Sequence, residues 1–211
     1  MTGILLPEQS DYLANIHPNE NSFAEIKNFA LLNKIPIVDE ITMRFIMQLL
    51  KIKDPGRVLE IGTAIGYSSL KIAETISEKS LLITVEKSPD NIILAKTNFT
   101  KYDFGNKIKL IEGEAKEIVK NLECGFDFIF LDADKHDYIE LLSPLINLLT
   151  KGGIIVVDNL LWKGRVANIQ QNEKAASVKI LREFNLLFLN ESKIISSILS
   201  IGDGIGLGIK I

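Results

Sequence analysis

Short apolar runs alternate with amphipathic stretches along most of this chain. Arg57 to Ile61, Leu81 to Glu86, Ile108 to Glu112, Phe126 to Leu131 and Ile154 to Asp158 have strand length, and the segments between them carry the 3.6-residue periodicity of helices. Phe128-Ile129-Phe130-Leu131 and Ile154-Ile155-Val156-Val157 are apolar throughout, which suits strands covered on both faces by crossover helices. The pattern predicts a doubly wound α/β fold with a mostly parallel sheet and helices on both faces. Ahead of it, two helical blocks near Glu8 to Leu32 and Val38 to Leu50 flank the extended Ile35-Pro36-Ile37, since a residue before proline avoids the helical region. No repeat or linker divides the chain, so residues 1–211 read as a single domain, with a helical extension over 1–51 and a cofactor-binding core over 52–211. At the far end a helical Ala175 to Leu189 precedes Ile194 to Ser200, Gly202-Asp203-Gly204 and Ile205 to Ile211. Asp-Gly between two strand-like runs is a hairpin signal, so the last two strands are expected to be antiparallel.

Charge and composition narrow the class. Lys and Arg number 24 against 27 Asp and Glu, a net charge of -3, which argues against a general nucleic-acid binder while leaving room for a local basic patch. One cysteine, Cys124, and two histidines, His17 and His136, exclude a disulfide framework and a Cys/His zinc site. The first residues lack the basic and apolar regions of a leader, and no apolar run approaches the ~20 residues that span a bilayer. The expectation is a soluble, cytoplasmic protein.

In open α/β sheets ligands bind beyond the carboxyl ends of the strands, near the point where strand order reverses. Four strand ends carry unusual residues. Glu60-Ile61-Gly62-Thr63-Ala64-Ile65-Gly66-Tyr67-Ser68 runs from a strand through a glycine-bearing turn into a helix opening that favours polar or anionic ligand atoms. Ala64 stands where the dinucleotide fingerprint needs its middle glycine, so a pyrophosphate fits poorly. Glu86, at the next strand end, is placed to accept hydrogen bonds from ribose hydroxyls. Together they suggest a nucleoside-bearing cofactor without a pyrophosphate. Asp132 and Asp158 close two consecutive buried strands, and converging anions are costly unless a cation joins them. With the Asn159 carbonyl they offer only oxygen, which suits Mg²⁺, Mn²⁺ or Ca²⁺. A cation beside Lys135 would favour its neutral amine, able to take a proton from an acceptor hydroxyl. Each residue alone has a plainer explanation: Gly62 and Gly66 as a tight turn, Asp132 and Asp158 as helix caps, Lys135 as a surface residue. Their combination points to chemistry.

Those motifs, with Phe130-Leu131-Asp132-Ala133-Asp134-Lys135-His136-Asp137-Tyr138, Val157-Asp158-Asn159-Leu160-Leu161-Trp162-Lys163-Gly164-Arg165-Val166 and the terminal Gly202-Asp203-Gly204, resemble the cation-dependent class I O-methyltransferases of the caffeoyl-CoA and catechol group. Within that group the short N-terminus and Ile35-Pro36-Ile37-Val38 look most like the bacterial tRNA 5-hydroxyuridine methyltransferases. The resemblance implies a seven-stranded Rossmann-like fold that binds S-adenosylmethionine. Val38, Glu60, Gly62, Thr63, Ala64, Gly66, Tyr67, Ser68, Glu86, Gly113, Glu114, Ala115, Asp132 and Asp134 would contact that cofactor. Asp132, Asp158 and Asn159 match the metal ligands and Lys135 with Asp132 the catalytic pair; Lys135 and Trp162 are the candidate substrate contacts, Trp162 having packing as its plain alternative. A homodimer is also implied. The chain departs from the family at Lys163 and Ser200, where Gly or Pro is common, and the first change falls on the acceptor loop.

The resulting expectation is metal-assisted methyl transfer to oxygen. 5-Hydroxyuridine in tRNA is the first acceptor and a small catechol-like or other hydroxylated aromatic compound the alternative. A tRNA enzyme needs phosphate contacts, for which Lys51, Lys53, Arg57, Lys163, Arg165 and Lys174 are available if the fold gathers them. A binding module without catalysis is argued against by the intact Asp132, Lys135, Asp158 and Asn159.

Overall fold

The computed structural model describes residues 22–103, 105–167 and 176–211, together with Tyr12, Asn15 and Ile16. Much of the first helical block, His17, Lys174 and residues 168–171 of the acceptor loop (160–171) lie outside them. Residues 1–37 and 38–211 form two compact units. In the first, helix α1 (Ala24–Asn33) begins after Phe23 and ends at Lys34, both left-handed. The second holds everything else, including α2 (Glu40–Lys53), which starts at Asp39 because that carboxylate accepts from the free N–H groups of Ile41 and Thr42.

From there strands and helices alternate: β1 (Arg57–Ile61), α3 (Tyr67–Thr75), β2 (Leu81–Glu86), α4 (Pro89–Tyr102), β3 (Ile108–Glu112), α5 (Ala115–Val119), β4 (Phe126–Leu131), a 3₁₀ turn (Lys135–Asp137) leading into α6 (Tyr138–Leu148), β5 (Leu149–Val157), α7 (Ala176–Asn190), β6 (Ile194–Leu199) and β7 (Ile205–Lys210). The seven strands form one sheet in the order β3-β2-β1-β4-β5-β7-β6. β1 to β5 are parallel, and β7 runs antiparallel between β5 and β6. This is the seven-stranded Rossmann-like architecture that the motifs implied, with the expected C-terminal hairpin.

β5 differs from expectation. It begins at Leu149 rather than Ile154, because Leu149 pairs with Phe126 and a register shift before Phe128 accommodates Gly152-Gly153. Two adjacent glycines read as a turn in sequence; in the structure they fall in the bulge between the Leu149 and Ile154 pairs, inside one continuous strand. The central strands are buried, with Phe128, Ile129, Phe130 and Leu131 of β4 and Ile155, Val156 and Val157 of β5 all fully enclosed. Tyr138 packs edge-on against Phe184 of α7, with ring centroids 5.2 Å apart, and Phe184 stacks on Phe188. Among the described residues no helix is long and apolar enough to cross a membrane.

Candidate active site

Strand register brings the chemistry together. Ile61 pairs with both Val85 and Leu131, and Leu131 pairs with Val157, so the residues following these strands emerge side by side. The ladder continues one step past the strands: Gly62 N–H donates to Val85 O (3.0 Å), Asp132 N–H to Ile61 O (2.9 Å), Asp158 N–H to Leu131 O (3.0 Å) and Gly113 N–H to Glu86 O (2.8 Å). Strand order reverses at β1, where a parallel sheet opens a crevice.

The Gly62–Gly66 turn folds over this crevice. Gly62 has φ 102°, and a Cβ there would overlap the Asp132 backbone carbonyl, so only glycine allows β1 and β4 to end this close together. Ala64 is also left-handed, at φ 46°. What holds it is Glu86, whose carboxylate accepts from Ala64 N–H (2.8 Å), Lys87 N–H (2.9 Å) and Ser88 N–H (2.9 Å). Three backbone donors fix its orientation and leave lone-pair capacity for a ligand.

Glu60 lies wholly buried beneath the same turn. Its Oε2 accepts from Thr84 Oγ1 (2.6 Å) and from Ser69 Oγ. Because the Thr84 proton points at Glu60, Thr63 Oγ1 must donate to Thr84 (2.6 Å). Burial pushes the Glu60 carboxyl above the usual carboxylate range, against the hydrogen bonds from Ser68, Ser69 and Thr84. Glu60 Oε1 has no hydrogen-bond partner among the described residues.

At the ends of β4 and β5 the two carboxylates meet. Asp158 is buried, and burial together with the charge of Asp132 raises its pKa to about 7, while Asn159 N–H and Lys135 act the other way and Asp39 adds to the rise. Asn159 is left-handed, φ 62°. Lys135, also buried, directs Nζ at three acceptors: Asp132 Oδ1 (3.1 Å), Ala133 O (3.2 Å) and Tyr138 Oη (2.5 Å). Tyr138 in turn donates to Asp158 O (3.1 Å). Burial, and then the charge of Asp132, holds Tyr138 well above the usual phenol range, so it stands as a neutral hydroxyl. Among the described residues no three His, Cys, Asp or Glu side chains gather as a metal group; the set here is two carboxylates and an amide.

The remaining expected residues fall around this centre. Gly113 and Glu114 lead into α5, with Ala115 buried at its first position. Asp134 is exposed and caps the 3₁₀ turn through His136 N–H (3.1 Å). Val38 is buried just ahead of Asp39, whose charge reaches Asp158. Trp162 packs, half-buried, against the main hydrophobic cluster. The basic set is not gathered. α2 has its N-terminus near Asp158 and spans 14 residues, about 21 Å, so Lys51 and Lys53 sit at the other end of the sheet with Arg57 at the start of β1. Arg57 is engaged locally, donating to Cys124 O (2.9 Å) and lying 4.5 Å over the Phe126 ring. Lys163 and Arg165 are exposed on the catalytic side, and Lys174 is outside the described residues.

Residues 17–211 match the family model described as O-methyltransferase. The chain belongs to this family. The membership carries S-adenosylmethionine-dependent methyl transfer to oxygen as the methyltransferase's activity. Among its relatives, caffeoyl-CoA O-methyltransferase of Populus kitakamiensis is 33% identical, over 97% of this chain and 94% of that protein. Flavonoid 3',5'-methyltransferase of Vitis vinifera is 29% identical, over 95% and 87%. In crystal structures, a candidate caffeoyl-CoA O-methyltransferase from Staphylococcus aureus aligns with TM-score 0.88 and 33% identity, over 97% and 100% of the two chains. SAH-bound PaMTH1 of Podospora anserina aligns with TM-score 0.87 and 26% identity, over 99% of each.

Three residues beside these candidates were given no site role by the sequence. Tyr138 could have been found from its spacing, since position i+3 brings it beside Lys135 on one helical face. Asp39, as a helix cap, looks ordinary in sequence, and its closeness to Asp158 depends on the packing of α2. Asp203 reads as a turn residue, yet it accepts from Lys163 N–H of the acceptor loop.

Proposed function

We propose that the protein methylates a hydroxyl of a small hydroxylated aromatic compound, with a divalent cation held by Asp132, Asp158 and Asn159. The observation that carries this reading is the buried acid pair: Asp158 lies against the charges of Asp132 and Asp39, with Lys135 offsetting them only in part, and its surroundings offer oxygen donors that suit a hard cation. Such a cation supplies Lewis acidity that favours ionisation of the acceptor hydroxyl. S-adenosylmethionine supplies an electrophilic methyl group, and the unpartnered Glu60 Oε1 fits a ligand bringing a hydrogen-bond donor, as its amino group does.

The chain's own residues bind and orient. Glu86 would hold the ribose hydroxyls, the turn from Gly62 through Thr63, Ala64, Gly66 and Tyr67 to Ser68 the methionine end, and Gly113, Glu114 and Ala115 the base. Asp132 or Asp134 would face the amino group, and the backbone at Val38 would close over it. The three acceptors around Lys135 Nζ would hold it in place to receive the acceptor's proton. Trp162 would border the acceptor ring. Holding nucleophile and methyl in line converts a two-body encounter into an effectively unimolecular step worth several kcal/mol.

The relatives' names, caffeoyl-CoA and flavonoid methyltransferase, support a phenolic acceptor. Exposed Lys163 and Arg165 on the acceptor segment favour a second reading, 5-hydroxyuridine in tRNA. The homodimer belongs to the same proposal and is checked by sedimentation. The deciding experiment is transfer of labelled methyl to a catechol and to wobble-unmodified tRNA, with Mg²⁺ and with EDTA. Chelator-sensitive labelling of the catechol is expected. Full activity in EDTA overturns the metal, and labelling of tRNA alone moves the acceptor to the second reading.

A further inference from the structure

The segment after β5 follows a costly backbone path. Asn159, Trp162 and Lys163 have φ of 62°, 48° and 54°, in the left-handed region that side chains disfavour, so a neighbour must hold them there. That neighbour is the β6–β7 turn. Leu160 N–H donates to Gly204 O (2.8 Å) and Leu161 N–H to Asp203 O (2.9 Å), while Lys163 N–H donates to Asp203 Oδ1. Gly204 makes the approach possible, because a Cβ there would overlap Leu161. On its other side the turn seats against α2, where a Cβ on Gly202 would overlap the Asp39 carboxylate and the Thr42 hydroxyl. Asp203 therefore links the acceptor segment to a turn braced against the helix that faces Asp158.

We propose that Asp203 is a positioning residue that clamps Lys163 in its left-handed conformation, fixes where Trp162 stands, and thereby determines which acceptor the site takes. The last step rests on the reading above that Trp162 borders the acceptor.

Trp162 is the chain's one tryptophan, so its emission reports the segment without cofactor, metal or turnover. In Asp203→Ala a red-shifted, more quenchable emission is expected, with the KM for a catechol acceptor raised about tenfold and that for S-adenosylmethionine changed by less than about twofold. Asp203→Asn keeps a carbonyl oxygen for Lys163 N–H and should restore both. Lys163→Gly added to Asp203→Ala should recover the emission in part, since glycine takes positive φ without strain; a merely structural role for Asp203 gives no such rescue. If Asp203→Ala fails to fold, Asp203→Gly suits the turn while removing the side-chain acceptor. Wild-type emission in a folded Ala or Gly variant overturns the clamp. Shifted emission with unchanged acceptor KM overturns the specificity role and, with it, the placing of Trp162 at the acceptor.

Discussion

Lys135 donates to the Tyr138 hydroxyl at 2.5 Å, and that hydroxyl passes the contact on to the Asp158 backbone carbonyl at 3.1 Å. The lysine is thus oriented from β5 as well as from its own loop. Tyr138→Phe keeps the ring packed against Phe184 and removes only the relay. The variant should fold with a loss of about 1 kcal/mol and show kcat reduced about tenfold, with the KM for S-adenosylmethionine held. Unchanged kcat would show that the hydroxyl serves packing alone.

Asp158 makes the metal-free protein sensitive to pH. Its folded pKa of about 7 lies above its ordinary value, so between those values the folded state binds more protons than the unfolded one and stability falls as pH rises. In EDTA, thermal unfolding should move to lower temperature from pH 4 to pH 8, a loss on the order of 1–4 kcal/mol from this group. Asp158→Asn should flatten the profile, and Mg²⁺ should raise the transition more at pH 8 than at pH 5. A wild-type profile that already rises toward pH 8 in EDTA would contradict the raised pKa.

Glu86 and Lys135 should separate binding from chemistry. Glu86→Ala removes the carboxylate that holds Ala64, Lys87 and Ser88, and should raise the KM for S-adenosylmethionine at least about tenfold, since hydrogen bonds to charged groups are worth roughly 1.5–3 kcal/mol. Lys135→Ala should instead lower kcat about 100-fold, within the usual range for general base catalysis, and leave cofactor affinity near wild type by calorimetry. The same effect in both variants would argue that the two residues share one structural role.

Gly62→Ala tests the closeness of β1 and β4. The added Cβ meets backbone rather than a mobile side chain, so the strand ends must part, at a cost of a few kcal/mol. Thermal denaturation should show the loss, and cofactor binding should fall with it.

The apolar runs by themselves determined where five parallel strands end; β4 closes on an uninterrupted apolar run because both faces are buried, whereas β1 and β2 carry the polar Glu60 and Thr84 within the strand and the edge strand β3 carries Lys109. That placed Gly62, Glu86, Asp132 and Asp158 at strand ends, and Gly202-Asp203-Gly204 in a hairpin. Strand order and register, which local periodicity does not encode, decided the rest: Ile61 beside Leu131 and Leu131 beside Val157 make neighbours of residues far apart in sequence. The same geometry separated Lys51, Lys53 and Arg57 from Lys163 and Arg165, since a helix the length of α2 carries charge from the carboxyl ends of the strands to their amino ends. It also produced the contacts between Tyr138 and Asp158 and between Asp203 and Lys163. These are hydrogen bonds between segments whose meeting depends on how the whole sheet closes, and only the tertiary structure supplies them.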